Sequence, residues 1–324
     1  MAVAAVRTGL ALASQSGRQS LVPYHAAFQA GKARELGFCD EAHGKRDVGF
    51  EGRGHTRGRE SRGKGSILRK TEELDIEREF NRACQYYQSG DPKRAEAICR
   101  KIVSVQPDDP NALNLLGLIA HQLGENEMAI NLMSRAIRND PENPFLYNNL
   151  GAVFHDSGKF PEAISSYKKA IHIKPDYADA YNNMGLVFQE QGKADKAISC
   201  YQEALQLRPN YPEANYNLGN ALKETGKLAE AIQCYQKAVA LRPDYPEACN
   251  NMGNAFNDQG RFDEAVACLN RAVTLRPDFP DAYYNLGNAL HGMVRLEEAI
   301  VSYESALALR LDYPEAYNNL GIVF

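Results

Sequence analysis

Apolar and polar positions from residue 76 onward follow a helical pattern. Between residues 178 and 211, Tyr181, Met184 and Phe188 fall at i, i+3 and i+7, the spacing that puts side chains on one helix face. Gly192-Lys193 interrupts the run, Ala197, Tyr201 and Ala204 resume it at i, i+4 and i+7, and Pro209 ends it. The pattern predicts two antiparallel helices joined by a tight turn. It recurs without insertion or deletion: glycine stands at 117, 151, 185, 219, 253, 287 and 321, always 34 residues apart. A strict period in this range is the mark of stacked supersecondary units. The expected fold is therefore all-α, a solenoid of antiparallel helix pairs.

Counting Pro110 as position 1, full units run 110–143, 144–177, 178–211, 212–245, 246–279 and 280–313, with a truncated unit at 314–324. A divergent unit fits at 76–109, with Ala83 at the glycine position, Gly90 at the turn and Pro107 as terminator. Small residues explain the stacking. Gly at position 8 and Ala at position 20 (Ala163, Ala197, Ala231) let the two helices of a unit approach closely. Ala at position 27 (Ala170, Ala204, Ala238) does the same against the next unit, and Tyr167, Tyr201, Tyr235 and Tyr303 at position 24 fill the space between.

Composition changes the picture at the N-terminus. Residues 1–70 carry 13 Lys+Arg against 6 Asp+Glu, whereas 71–324 carry 24 against 35. A basic leader thus precedes an acidic solenoid at 71–324. Residues 1–34 contain no acidic residue, a composition compatible with an organellar targeting segment; an unstructured leader or a wrongly chosen start site would look the same. The Gly/Arg-rich stretch 44–65 buries too little apolar surface to order itself. Its Gly58–Lys64 segment nearly matches a phosphate-binding loop, but Gly65 stands where Ser or Thr is needed and no strand precedes it. Its Arg-Gly pairs lack interleaved aromatics for base stacking.

Candidate chemistry is sparse. The seven cysteines are odd in number and widely spaced, which argues against a disulfide framework and for a reducing, cytoplasmic location. Cys200, Cys234 and Cys268 share one repeat position and read as buried packing residues. His121, His155 and His291 share position 12 and read as polar groove side chains rather than metal ligands. No nucleophile constellation, nucleotide loop or membrane-length apolar run is present. The expectation is a chain with no catalytic residue, metal or cofactor, and no membrane contact.

The unit Tyr181-Asn-Asn-Met184-Gly185-Leu-Val-Phe188, followed by Ala197, Tyr201, Ala204 and Pro209, resembles the tetratricopeptide repeat family over residues 76–324. Asn215 and Cys249 at position 4, Val294 at the turn glycine and Leu311 at the proline depart from its pattern locally. The resemblance implies a right-handed superhelix whose first helices line a concave groove, with positions 2, 5, 6, 9, 12 and 13 facing it. Position 6 reads Asn149, Asn183, Asn217, Asn251, Asn285 and Asn319. With no packing reason for Asn there, these residues are the candidate peptide-binding ladder: each carboxamide offers an acceptor and two donors to a peptide backbone. Solvated or helix-local hydrogen bonds are the alternative.

This repeated Asn pattern looks most like the superhelix that precedes the catalytic half of peptide O-linked N-acetylglucosamine transferases. The resemblance implies an interaction scaffold or the acceptor-recognition part of such a glycosyltransferase; catalysis itself does not carry over. Acidic residues at position 2 (Asp179, Glu213, Glu247, Asp281, Glu315) and position 13 (Asp156, Glu190, Glu224, Asp258) point to a protein or peptide partner, a neutral or basic extended segment. They argue against nucleic acid binding by the solenoid. The last helix has no second helix to cover it, so the expectation is a fragment of a longer protein, or an end that frays or self-associates.

Overall fold

The structure, a computed structural model, describes residues 63–323. The leader before residue 63, including most of the loop-like segment and the possible targeting stretch, lies outside the described residues. The chain divides into two units, the first ending at Val105 and the second beginning at Gln106.

The first unit is one helix pair, α1 (Gly63–Gln88) and α2 (Pro92–Val105). Helix α1 begins within the Gly/Arg-rich stretch, so the leader boundary drawn at residue 70 falls inside a helix. Ala83, Ala95 and Cys99 are fully buried. The turn passes through Gly90 at φ +81°, a left-handed conformation that glycine adopts without penalty.

The second unit repeats that design: α3 (Pro110–Gln122) with α4 (Asn126–Asn139), α5 (Pro144–Asp156) with α6 (Phe160–Ile173), and α7 (Ala178–Glu190) with α8 (Ala194–Leu207). Then come α9 (Pro212–Glu224) with α10 (Leu228–Leu241), α11 (Pro246–Asp258) with α12 (Phe262–Leu275), α13 (Pro280–Gly292) with α14 (Leu296–Leu309), and finally α15 (Pro314–Val323). Most first helices open on a proline, whose missing N–H costs nothing at that position. The side chains of Asp109 and Asn143 cap two of them by accepting from the N–H groups of Ala112 and Phe145.

Within this unit each second helix packs against the first helix of its own repeat and that of the next. The closeness predicted from the small residues is present. A methyl group built on Gly219 would sit 2.5 Å from the ring of Tyr235, and one on Gly185 would sit 2.6 Å from the ring of Tyr201. Ala163, Ala197, Ala231, Ala170, Ala204 and Ala238 are fully buried. Five inter-helix turns of this unit use a glycine with φ between +68° and +82°. The sixth uses Val294 at φ 61°, the departure marked in the sequence and the single non-glycine residue with positive φ among those described. On α15, Gly321 faces no atom within 4 Å and Ile322 is exposed.

Candidate functional site

Neighbouring first helices approach one another along the stack, whereas neighbouring second helices do not. The stack therefore bends toward the first helices, which line its inner face. Position 6 lies on that face, next to the seam between repeats.

Every candidate ladder residue donates its amide backward to the preceding repeat. Asn149 Nδ2 reaches Asn114 Oδ1 at 3.4 Å, Asn183 reaches Asn148 at 3.1 Å, Asn217 reaches Asn182 at 3.0 Å and Asn285 reaches Asn250 at 2.9 Å. Where position 5 is tyrosine the rung forks: Asn251 Nδ2 donates to Tyr216 Oη (3.1 Å) and Asn220 Oδ1 (2.9 Å), and Asn319 to Tyr284 Oη (3.2 Å) and Asn288 Oδ1 (2.9 Å). Asn149, Asn217 and Asn285 are buried. Two sequence expectations change accordingly. Asn at position 6 does have a packing reason, since it joins consecutive repeats. Its amide is also not wholly available to a ligand, because one or both N–H groups are engaged within the protein.

The first rung shows what the asparagine supplies. Position 6 of the first full repeat is Leu115, and Asn114 Nδ2 beside it is buried with no partner. In later repeats the position-5 amide turns to its position-6 neighbour, as Asn250 Nδ2 does to Asn251 Oδ1 at 3.0 Å. Leucine has no oxygen to accept that bond.

A second set of rungs lies two turns further along the first helices, where position 12 of one repeat meets position 13 of the next. His121 Nε2 lies 2.8 Å from Asp156 Oδ2, and His155 Nε2 lies 3.0 Å from Glu190 Oε1. Gln189 Nε2 donates to Glu224 Oε1 at 2.6 Å, and Lys223 Nζ lies 3.6 Å from Asp258 Oδ2. Burial pulls the Lys223 ammonium below its ordinary pKa and Asp258 partly offsets this.

The position-2 acids are less available than the sequence suggests. Arg208 forms a bidentate pair with Asp179 and Arg310 with Asp281, while Arg242 pairs with Glu213 and Arg276 with Glu247. Each guanidinium also lies 4.6–4.9 Å from the ring centroid of Tyr211, Tyr245, Phe279 or Tyr313. These arginines close each repeat on itself and neutralise the acids. Their recurrence at position 31 was visible in the sequence; which carboxylate they meet was not.

Sequence reasoning also missed Asn220, Asn254 and Asn288 at position 9. Tyr235 Oη donates to Asn220 Oδ1 at 2.8 Å and Tyr303 Oη to Asn288 Oδ1 at 2.9 Å. Burial pushes the Tyr216 phenol up to about 12. One repeat earlier, Tyr201 Oη donates to Gln189 Oε1 at 2.9 Å. Leu269 replaces this tyrosine in the fifth full repeat, and Asn257 Oδ1, at the position Gln189 occupies, is buried there without a partner.

The described cysteines are all reduced, with Cys200 buried and Cys234 and Cys268 half-buried. Burial pushes the thiols of Cys200 and Cys268 up to about 11, which favours inert packing groups. Among the described residues no group of three or more His, Cys, Asp or Glu is placed to hold a metal ion. No described helix is long and apolar enough to cross a membrane.

Family models described as TPR repeat match residues 153–192, 253–294 and 295–324, and tetratricopeptide-repeat models match 80–144 and 176–244. No curated protein matches the chain. Among solved structures it is similar to YrrB, described as a TPR protein with an unusual peptide-binding site, at 24% identity and a TM-score of 0.51, over 57% of this chain and 96% of that one. It is similar to the Cut9–Hcn1 hetero-tetramer of the APC/C at 18% identity and a TM-score of 0.63, over 75% of this chain and 48% of that one. PilF of Pseudomonas aeruginosa gives 20% identity and a TM-score of 0.60, over 67% of this chain and 98% of that one. These likenesses show the fold alone. The 34-residue period, the position-specific small residues and these matches agree: the chain belongs to the tetratricopeptide repeat family.

Proposed function

We propose that this chain is an interaction scaffold that holds an extended polypeptide segment along its first helices. The observation that carries the reading is the fixed carboxamide row at position 6. Each Asn is oriented by a bond to the preceding repeat, so successive carboxamides meet a ligand in one common orientation and with little ordering cost. The carbonyls of Asn149 and Asn217 have no hydrogen-bond partner among the described residues. YrrB, similar in fold, is described as peptide-binding. The partner segment is neutral or basic. Asp156, Glu190, Glu224 and Asp258 line the same face and carry negative charge along it, each meeting a side chain of the preceding repeat. The paired position-2 acids add little to this preference.

The test is to select peptides from a random display library against the full chain and map the bound complex by hydrogen–deuterium exchange. Added protection confined to first helices α5, α7, α9, α11, α13 and α15 is expected. Protection confined to the second helices would sink the reading.

A further inference from the structure

Asn220, Asn254 and Asn288 occupy position 9 of three consecutive repeats, on the same helices as the rungs and between them, and all three are half-buried. Their carboxamides do not present the same end, and the second-helix residue behind each decides which. Behind Asn220 and Asn288 stand Tyr235 and Tyr303, whose hydroxyls donate to the Asn oxygens. Asn251 and Asn319 donate to the same oxygens at 2.9 Å. With both lone pairs of the oxygen taken, the amide end of Asn220 and Asn288 is turned away from the core. Asn220 also meets the Tyr216 side chain, and Asn288 Nδ2 has no partner among the described residues.

Behind Asn254 stands Leu269, which has no hydroxyl to give. Asn254 is reversed: its Nδ2 donates to Asn285 Oδ1 at 3.4 Å, and its oxygen has no partner among the described residues. The orientation is locked by a relay of one polarity. Asn254 donates to Asn285, Asn285 to Asn250 (2.9 Å), Asn250 to Asn251 (3.0 Å) and Asn251 to Asn220 (2.9 Å). Reversing one member would break its neighbours' bonds, and such chains polarise one another.

We infer that Asn220, Asn254 and Asn288 form a recognition row presenting N–H, C=O and N–H in turn, which reads the backbone of an extended polypeptide through an acceptor, a donor and an acceptor. The inference rests on the groove reading above and adds to it a chemical demand: the segment opposite Asn254 must carry a backbone N–H. A proline there lacks that donor. Leu269 is the residue that sets the demand, although it is fully buried and touches no ligand.

Leu269→Tyr tests this. Four other repeats hold a tyrosine against glycine at this place, Tyr167, Tyr201, Tyr235 and Tyr303, so the space exists in the fold. The new hydroxyl should bond the Asn254 oxygen, as Tyr235 and Tyr303 do wherever position 9 is Asn, rather than the orphaned Asn257 oxygen, and turn the Asn254 amide outward, changing the row to N–H throughout. The probes are two capped octapeptides, one of alternating alanine and serine and one of proline, titrated into the full-length chain and followed by NMR of the Asn side chains. The natural chain should prefer the alanine–serine peptide, and Leu269→Tyr should lower that preference about fivefold, the worth of one neutral hydrogen bond. Leu269→Phe fills the same space without a hydroxyl and should leave the preference where it was. An unchanged ratio in Leu269→Tyr, or an equal change in Leu269→Phe, overturns the inference while peptide binding itself stands. Absence of any shift in first-helix signals with either peptide sinks the groove reading and the inference together.

Discussion

Asn217 Nδ2 donates to Asn182 Oδ1 across 3.0 Å although 35 residues separate them. The same one-repeat-plus-one relation joins Asn183 to Asn148 and Asn285 to Asn250 on one line, and Gln189 to Glu224 on the other. A 34-residue period brings position 6 beside position 5 of the preceding repeat, so one repeated pair of residues becomes a continuous seam. The groove is thus lined by the bonds that hold its repeats in register.

Removing one rung should loosen that seam measurably. Asn217→Ala leaves the buried Asn182 carbonyl without its donor, and urea unfolding should show a loss of about 1–2 kcal/mol. The converse change, Leu115→Asn, supplies an acceptor to the orphaned Asn114 amide but gives up a buried leucine, so it should cost about 1 kcal/mol less than Leu115→Ala does. An equal loss in the two variants would mean that the Asn114 bond does not form.

Val294 holds a left-handed turn that every other repeat of the second unit assigns to glycine. A β-branched residue is strained at φ 61° by about 1–2 kcal/mol. Val294→Gly should therefore raise the unfolding midpoint, with a gain of about 1 kcal/mol after glycine's greater chain entropy in the unfolded state is subtracted. A lower midpoint would show that the exposed valine makes a contact of greater worth.

Gly219→Ala should reverse the usual sign of a glycine-to-alanine change in a helix. In an open helix the alanine gains up to about 1 kcal/mol. Here its methyl group would lie 2.5 Å from the ring of Tyr235, itself fully buried. Overpacking of this kind costs about 1–3 kcal/mol, and thermal unfolding would report it.

Stability should fall at alkaline pH. Burial raises the Cys200 and Cys268 thiols from 9.0 to about 11, so folding favours their neutral forms. A raised folded pKa contributes stability that is intact below the unfolded value and is lost as pH climbs through the folded one. Unfolding free energy should hold steady up to about pH 8.5 and decline between 9 and 11. The double change Cys200→Ala, Cys268→Ala should flatten part of that decline. Rapid alkylation of either thiol at neutral pH would contradict the burial that causes the shift.

Much of the architecture was legible because repeats report themselves. The glycine period, the buried alanines and the position-24 tyrosines each follow from local spacing, and the helix pairs begin and end where Pro212, Gly226 and Pro243 place them. The asparagine row was legible as a row but not as a set of bonds. A side chain on the inner face of one helix reads as ligand-facing until the neighbouring repeat is in place. Glu213 reads as a partner-facing acid for the same reason, because nothing local shows that Arg242, at the end of the second helix, returns to the start of its own first helix.

The sequence by itself determined the period, the helix pairs and the family, because close packing at fixed intervals leaves a fixed pattern of small residues. The tertiary structure decided which ends of the carboxamides are engaged and which are presented. That depends on atoms brought together from different repeats: Tyr235 behind Asn220, Leu269 behind Asn254. An amide has two chemically opposite ends on one residue name, and only its three-dimensional neighbours select between them.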